Sequence, residues 1–282
     1  MVVITTVQEM KAHVRAVRAR GETICLVPTM GYLHKGHLDL MRMGKGLADH
    51  LMISIFVNPT QFGPSEDLSR YPRDFERDRM LSEEVGVECI FFPGPEEMYP
   101  EGYATYVNVE EITQALCGVS RPTHFRGVAT VVAKLFNICE PDVSVFGQKD
   151  YQQLAVIRRM VKDLDMNVRV VAHPTVREDD GLAMSSRNKY LSGEQRTNAL
   201  VLSRALDTAR GLVMRGERRA SEIRKVAVDM IEATPGALMD YVEIVHPETL
   251  RTIDTIDDRA VMALAVRFGP TRLIDNTELQ RP

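Results

Sequence analysis

Two histidines three residues apart, His34 and His37, form the most informative pattern in the sequence. They lie in the segment PTMGYLHKGH, residues 28–37, which follows an apolar run and opens a helical pattern. Free amides and the positive end of a helix dipole make the carboxyl end of a parallel strand a favourable place for phosphate. Imidazoles there donate charge-assisted hydrogen bonds of about 1.5–3 kcal/mol each. The pattern therefore predicts a nucleotide site. Hydrogen bonds from the imidazoles that strengthen as charge moves onto the phosphate lower the activation barrier of phosphoryl transfer.

Other interpretations of these residues are weaker. With seven His and 18 Gly, His-x-Gly-His arises by chance in about one chain in a hundred of this length, so a pair of ordinary surface histidines is disfavoured. A metal site lacks the third ligand that an HExxH motif would supply. Gly44–Gly46 is neither a P-loop, because no Ser or Thr follows Lys45, nor a dinucleotide fingerprint, because position 49 is not glycine.

Two later segments carry groups suited to the same ligand. FGQKDYQQ follows a predicted strand and opens a helical pattern. Lys149 there is a point charge for a phosphate, while Asp150 and the Gly147 backbone suit ribose hydroxyls. MSSRN offers two hydroxyls and a guanidinium for the tail of a triphosphate, although alone it is more typical of a plain surface turn. Its candidate residues are Ser185, Ser186 and Arg187.

A third segment, FVNPTQF, ends another predicted strand. Gln61 in this segment and Gln153 offer neutral amides suited to the hydroxyl and carboxyl groups of a small polar acid, with Phe56 and Phe62 as apolar walls. The alternative interpretation is turn chemistry around Pro59.

The elements that position these residues are short apolar runs alternating with helical patterns, which is typical of a parallel sheet with crossover helices. The predicted strands are Thr23–Val27, Leu51–Val57, Glu88–Phe92, Val143–Phe146 and Val168–Val171. Apolar stripes predict helices over 128–139 and 154–164, and right-handed crossovers connect such strands. The sequence therefore predicts an α/β fold with a Rossmann-like parallel sheet.

The sequence pattern changes after Pro174. A polar, turn-rich segment leads to the capping-box pattern Ser192–Gln195, which predicts a helix with an apolar stripe from Ala199 to Val213. A second helix pattern and two strand-like runs, Leu238–Val245 and Ala260–Val266, follow. We therefore predict a Rossmann-like nucleotide-binding domain over 1–175 and a smaller α+β domain over 176–282.

Composition excludes several classes of protein. The 282 residues carry 35 Lys and Arg against 39 Asp and Glu, a net charge of −4, so we expect no nucleic-acid partner. The longest apolar run is far shorter than the roughly 18 residues that cross a membrane, and charged residues replace the apolar core of a signal peptide. Four separated cysteines without a C-x-x-C pair are typical of reduced thiols. We expect a cytoplasmic protein without a membrane partner.

Six motifs in register, PTMGYLHKGH, FVNPTQF, YPRD, RPTHFRGV, FGQKDYQQL and GLAMSSRN, carry a family resemblance. Together they resemble the pantothenate synthetases, the pantoate–β-alanine ligases of the nucleotidylyltransferase superfamily. The resemblance implies an ATP- and Mg²⁺-dependent ligation in which pantoate becomes a pantoyl adenylate, pyrophosphate leaves, and the β-alanine amine then displaces AMP. It also implies a homodimer, a Rossmann-like domain that binds pantoate as well as the nucleotide, and a C-terminal lid domain that closes over the nucleotide, for which Gly181 is a candidate hinge.

The resemblance assigns roles to matching positions. Those implied for ATP are His34 and His37 with the Met30 amide at the transferring phosphate, Lys149, Ser185, Ser186 and Arg187 at the other phosphates, and Gly147 and Asp150 at the ribose. Those implied for the acid and the amine are Gln61 and Gln153 at pantoate, and Asn58, Arg121 and His124 where the acyl group meets the amine.

Two departures from the family pattern concern charge. Gln148 stands where the family often has Glu, and Arg77 interrupts an acidic pair that the family links to the metal. Asp78 is then the remaining candidate metal ligand, and the ion is otherwise held by phosphate oxygens. The alternative functions are an adenylyl transferase of the same superfamily acting on another acceptor, and a non-catalytic nucleotide-binding module.

Overall fold

The computed structural model describes residues 1–64 and 66–281. The first part of the chain contains β1 (Val2–Ile4), α1 (Val7–Ala19), β2 (Ile24–Thr29), α2 (Lys35–Lys45), β3 (His50–Ile55), α3 (Phe75–Glu84), β4 (Cys89–Phe91), α4 (Pro95–Met98), α5 (Cys117–Ser120), α6 (His124–Cys139), β5 (Val143–Gly147), α7 (Tyr151–Asp163) and β6 (Arg169–His173). The remainder contains α8 (Gly193–Asn198), α9 (Val201–Met214), α10 (Ala220–Glu232), β7 (Ala237–Val245), β8 (Arg259–Phe268) and β9 (Thr271–Gln280).

A parallel sheet with the strand order β1-β4-β3-β2-β5-β6 forms the first unit. From β2 the chain proceeds to β3 and β4 on one side, whereas β5 and β6 lie on the other. β2 pairs with β3 from Ile24 to Thr29, but its pairing with β5 is confined to Cys25 and Leu26. The carboxyl ends of β2 and β5 therefore flank a switch point of the topology, which is where open α/β sheets bind ligands.

The buried strands explain why this order is stable. Every residue of β3 is buried, and β2 is buried apart from Pro28, which is typical of strands covered on both faces. α2 packs over β2, β3 and β5, and α1 packs against α6. The stripe predicted over 128–139 is buried as expected. The predicted α/β class is therefore confirmed.

The second sheet is antiparallel and has the order β7-β8-β9. α9 and α10 pack together, α10 contacts β7, and α9 contacts β9. The capping box is present, because the Ser192 hydroxyl accepts from the Gln195 amide (3.2 Å) and the Gln195 side chain accepts from the Ser192 amide (3.0 Å). The helix expected to follow it is interrupted near Ala199, so α8 and α9 are separate.

Contacts divide the chain into two units. The first comprises 1–109, 121–148 and 153–174, and the second comprises 110–120, 149–152 and the residues from 175 onward. The main break thus falls after Pro174, while two short earlier segments group with the later part. Among the described residues, none of the helices is long and apolar enough to cross a membrane.

Candidate functional site

The turn that follows β2 is held by α3. Its backbone enters the left-handed region at Gly31 (φ 77°) and Tyr32 (φ 50°). The carboxylate of Asp78, which is 1 % exposed, accepts from the amides of Tyr32 (2.6 Å) and Leu33 (2.7 Å). The guanidinium of Arg77 donates to the Leu33 carbonyl oxygen (2.8 Å). Neighbouring residues of α3 thus satisfy both the donors and the acceptor of this turn.

These contacts give Asp78 a structural task. Burial raises the pKa of its carboxyl, while the two amide bonds and the charge of Arg77 oppose that rise. A Cβ on Gly31 would lie 2.9 Å from Asp78 Oδ2, so the close approach requires glycine. The described residues include no group of three side chains arranged to hold a metal ion. Asp78, the candidate metal ligand of the sequence, anchors the turn through its two amide contacts.

The two histidines lie at the first turn of α2. His34 is the N-cap residue and His37 is the third helical residue. Their ring centroids are 4.0 Å apart, and the His34 amide donates to His37 Nδ1 (3.3 Å). Because Nδ1 accepts this bond, the neutral ring of His37 carries its proton on Nε2. The turn thereby presents a fixed imidazole N–H donor at a helix N-terminus, which suits an anion.

The turn after β3 is organised around the buried amide of Asn58. Its Oδ1 accepts from the hydroxyls of Thr60 and Tyr99, both at 2.9 Å. Its Nδ2 donates to Gln61 Oε1 (3.0 Å) and to the Gly127 carbonyl oxygen (3.1 Å). Burial raises the pKa of Tyr99 to about 12, so its hydroxyl keeps its proton and donates. These contacts fix the orientation of the Asn58 amide, and its Nδ2 in turn holds the side chain of Gln61.

The same contacts decide which end of Gln61 is presented. Its Oε1 is occupied by Asn58, while its Nε2 lies 3.1 Å from Met30 Sδ. A thioether is a weak acceptor, so this N–H remains suited to a stronger acceptor on a substrate. The contact also joins the turn after β2 to the turn after β3.

Gly127 allows α6 to lie directly against this turn. A Cβ at this position would be 2.4 Å from the Thr60 carbonyl oxygen and 2.6 Å from the Gln61 nitrogen. Two backbones approach here more closely than any side chain permits. The position of Gln61 is therefore set by α6 as well as by its own turn.

Arg121 and His124 converge on the carbonyl oxygen of Gln61, with Arg121 Nη2 at 3.3 Å and His124 Nδ1 at 2.9 Å. Arg121 also makes a bidentate ion pair with Glu66, in which its Nε and Nη2 each donate to one carboxylate oxygen at 2.6 Å. Burial alone would raise the pKa of Glu66, but the hydrogen bond and charge of Arg121 hold it below the ordinary value. Since a carbonyl oxygen only accepts, His124 Nδ1 carries the proton and Nε2 of the neutral ring is an acceptor.

The segment after β5 places the remaining predicted residues of its motif. Gly147 ends the strand, Lys149 and Asp150 lie in a 3-10 turn over Gln148–Asp150, and Gln153 lies in the first turn of α7. Lys149 Nζ is 3.8 Å from Asp150 Oδ2. A Cβ on Gly147 would meet no atom within 4 Å, so open space adjoins this backbone.

Within the second unit the structure brings two predicted ATP segments together. Ser185 caps the 3-10 turn Ser186–Tyr190 and accepts from the Arg187 amide (3.2 Å). Lys149 and Ser185 line the same small recess. Asn188, which belongs to the MSSRN motif but is assigned no role, and Asp275, which carries no sequence signal, also line it.

Comparison with known proteins gives a consistent result. The sequence model of the pantoate-beta-alanine ligase family matches residues 2–278. The pantothenate synthetase of Acetivibrio thermocellus is 57 % identical over 276 residues, 98 % of each chain, and that of Pelotomaculum thermopropionicum is 59 % identical over 279 residues, 99 % of each.

Solved structures agree over the full length. The crystal structure of pantothenate synthetase from Thermus thermophilus matches with a TM-score of 0.95 and 49 % identity, covering 100 % of both chains. The pantoate-beta-alanine ligase of Francisella tularensis, complexed with beta-gamma ATP and beta-alanine, matches with a TM-score of 0.80 and 31 % identity, covering 98 % of this chain and 97 % of that one.

Proposed function

The chain belongs to the pantoate-beta-alanine ligase family, and we propose that it condenses pantoate with β-alanine to pantothenate while converting ATP to AMP and pyrophosphate. The observation that carries this proposal is the anchored turn that presents His34 and His37 at the start of α2. A crystallised relative named for the same reaction is complexed with beta-gamma ATP and beta-alanine.

The first chemical step activates a poor electrophile. A carboxylate oxygen of pantoate attacks the α-phosphorus of ATP, the bond to the bridging oxygen breaks, and pyrophosphate leaves with that electron pair. We assign His34, His37 and the Met30 amide to the non-bridging oxygens of this phosphate, where donors stabilise the developing charge. The Nε2 proton of His37, fixed by the amide bond to Nδ1, is suited to that task.

Substrate positioning follows from the remaining contacts. We assign Gln61, whose Nε2 is the presented end, and Gln153 to pantoate. The assigned phosphate ligands are Lys149, Ser185, Ser186 and Arg187, and the assigned ribose ligands are Gly147 and Asp150. In these roles the residues hold the acid oxygen and the α-phosphorus in attacking geometry, which lowers the entropic part of the barrier.

In the second step the β-alanine amine attacks the acyl carbon of pantoyl adenylate. The bond from that carbon to the AMP oxygen breaks, AMP leaves, and the amine nitrogen releases one proton. We place this step near Arg121 and His124, with Asn58 holding the neighbouring turn. Nε2 of neutral His124 is suited to accept the proton, because Nδ1 donates to the Gln61 carbonyl oxygen.

Three finer parts of the proposal rest on the sequence: the metal and the oligomeric state on the family resemblance, and the cellular location on composition. Mg²⁺ enters as the phosphate complex of ATP, held mostly by phosphate oxygens. The protein is a homodimer, which light scattering after size exclusion measures directly. It acts in the cytoplasm, where we expect its thiols to stay reduced.

Isotope exchange tests the proposed function. Protein incubated with MgATP, pantoate and labelled pyrophosphate is expected to form labelled ATP in the absence of β-alanine. Exchange that proceeds equally well without pantoate contradicts the proposal. We expect His34→Ala or His37→Ala to reduce exchange at least a hundredfold, about 2.7 kcal/mol. His246→Ala, at an exposed position, is the matched control and is expected to retain exchange.

A further inference from the structure

Two adjacent residues of β9 contact Lys149, an assigned phosphate ligand, and Arg177, which begins the segment that leads to the assigned Ser185–Arg187 turn. Asn276 Nδ2 donates to the backbone carbonyl oxygen of Lys149 (2.8 Å). Asp275 accepts from both terminal nitrogens of Arg177, at 2.7 and 3.0 Å. Arg177 begins the turn-rich segment that leads to Ser185. Neighbouring positions on one strand thus hold segments that are about 30 residues apart in sequence.

The path from Arg177 to the serine turn is continuous. Arg177 forms an antiparallel bridge with Ala183 and donates to the Gly181 carbonyl oxygen (3.0 Å). Asn188, in the 3-10 turn that follows Ser185, donates to Glu178 Oε1 (2.7 Å) and to the Ala183 carbonyl oxygen (3.1 Å). Residues 177–188 are therefore linked by hydrogen bonds into one segment, and the ion pair of Arg177 with Asp275 attaches this segment to β9.

Burial and charge make this attachment specific. Asp275 is 2 % exposed and Asn276 is 6 % exposed, which is unusual for such polar side chains. Burial alone would lower the pKa of Arg177, but the hydrogen bond and charge of Asp275 raise it above its ordinary value. Asp275 Oδ1 also accepts from the Asn276 amide (2.8 Å). A carboxylate fixed by three donors admits little movement of its partner.

We propose that Asp275 and Asn276 are positioning residues that set the spacing between Lys149 and the Ser185–Arg187 turn for the polyphosphate of ATP. Lys149, Ser185 and Asp275 line the same small recess, so the two anchored segments lie next to each other. The proposal rests on the proposed function, since it takes these segments as phosphate ligands. Small misplacements of binding groups reduce rates strongly, by up to about a hundredfold for 1 Å.

Steady-state kinetics of two variants test this role. Asn276→Ala removes the bond to Lys149, and Asp275→Asn removes the charge that binds Arg177. We expect each to raise KM for ATP about tenfold, or 1.4 kcal/mol, while KM for pantoate and β-alanine stays within about twofold. Thr277→Ala, on the same strand, is the matched control and is expected to keep all three constants. Folded variants with the wild-type KM for ATP, whatever their melting temperature, overturn the proposal.

Hydrogen exchange without substrates supplies a second readout. Asp275→Asn is expected to speed amide exchange over 177–188 and Asn276→Ala over 149–152, with the rest of the chain unchanged. If Asp275→Asn does not fold, Asn276→Ala alone decides, and unchanged exchange at 149–152 together with an unchanged KM for ATP overturns the proposal. If the wild-type protein makes no pantothenate, the proposed function fails. Amide hydrogen exchange still tests whether Asp275 and Asn276 hold the two segments against β9.

Discussion

Replacing Gly127 by alanine tests whether α6 positions the turn that carries Gln61. The added Cβ would lie 2.4 Å from the Thr60 carbonyl oxygen and 2.6 Å from the Gln61 nitrogen. Ordinary van der Waals contact requires the first distance to lengthen by about 1 Å. Both obstacles are backbone atoms, so a change of rotamer cannot relieve the overlap. The turn has to move away from α6.

Two effects of opposite sign determine the magnitude. Alanine is about 1 kcal/mol more favourable than glycine inside a helix. Overpacking against a backbone costs about 1–3 kcal/mol, and moving the turn stretches the buried bond from Asn58 to the Gly127 carbonyl oxygen, which costs about 1–2 kcal/mol more. We expect Gly127→Ala to lower the free energy of unfolding by about 1–4 kcal/mol, and the displaced Gln61 to raise KM for pantoate about tenfold.

Thermal unfolding and pantoate kinetics measure these effects. The matched control is Gly193→Ala in the first turn of α8, where a Cβ would meet no atom within 4 Å. The control is expected to leave stability unchanged or slightly raised and KM for pantoate unchanged. If Gly127→Ala is at least as stable as the wild type, helix propensity dominates and the close approach does not constrain the turn.

Three further outcomes are expected. Asp78→Asn leaves one turn amide facing an NH₂ group, so denaturant titration should show a loss of about 1–3 kcal/mol and kinetics a fall in kcat/KM for ATP. Tyr99→Phe removes a donor to Asn58 and should raise KM for pantoate about fivefold, or 1 kcal/mol, with KM for ATP unchanged. Burial, more than neighbouring positive charge, lowers the pKa of His13 and of His50 below 6.5. As pH falls, the two histidines therefore bind protons in the unfolded chain before they do so in the folded protein. Their contribution to the free energy of unfolding is complete above pH 6.5 and is lost as pH falls towards their pKa values in the folded protein. Urea unfolding at pH 7.5 and 5.5 should show this loss, and His50→Gln should reduce it; an equal loss in the variant refutes the assignment.

The parallel sheet was predictable because its strands are continuous apolar runs. Leu51–Val57, for example, contains all but the first residue of β3. β1 was missed because three residues carry no usable periodicity. β9 was missed because its buried positions include Asp275 and Asn276, polar residues that break the alternation of an ordinary half-buried strand.

The candidate site was predictable only where its residues are close in sequence. The spacing of His34 and His37 is local and places both in one helical turn. Asp78, which anchors the turn before them, is 45 residues from Leu33, whose amide donates to its carboxylate, and Tyr99 is 41 residues from Asn58. Contacts of this kind depend on how α3 and the segment after β4 pack, so no local sequence pattern predicts them.

The central claim is that an oxygen of pantoate displaces pyrophosphate from the α-phosphorus of ATP. Pantoate labelled with ¹⁸O in its carboxyl group tests it, with mass spectrometry of the nucleotide and phosphate products after a single round of condensation. The mechanism predicts that the AMP formed carries one labelled oxygen in its phosphate. Unlabelled AMP, or label in pyrophosphate or inorganic phosphate, would contradict it.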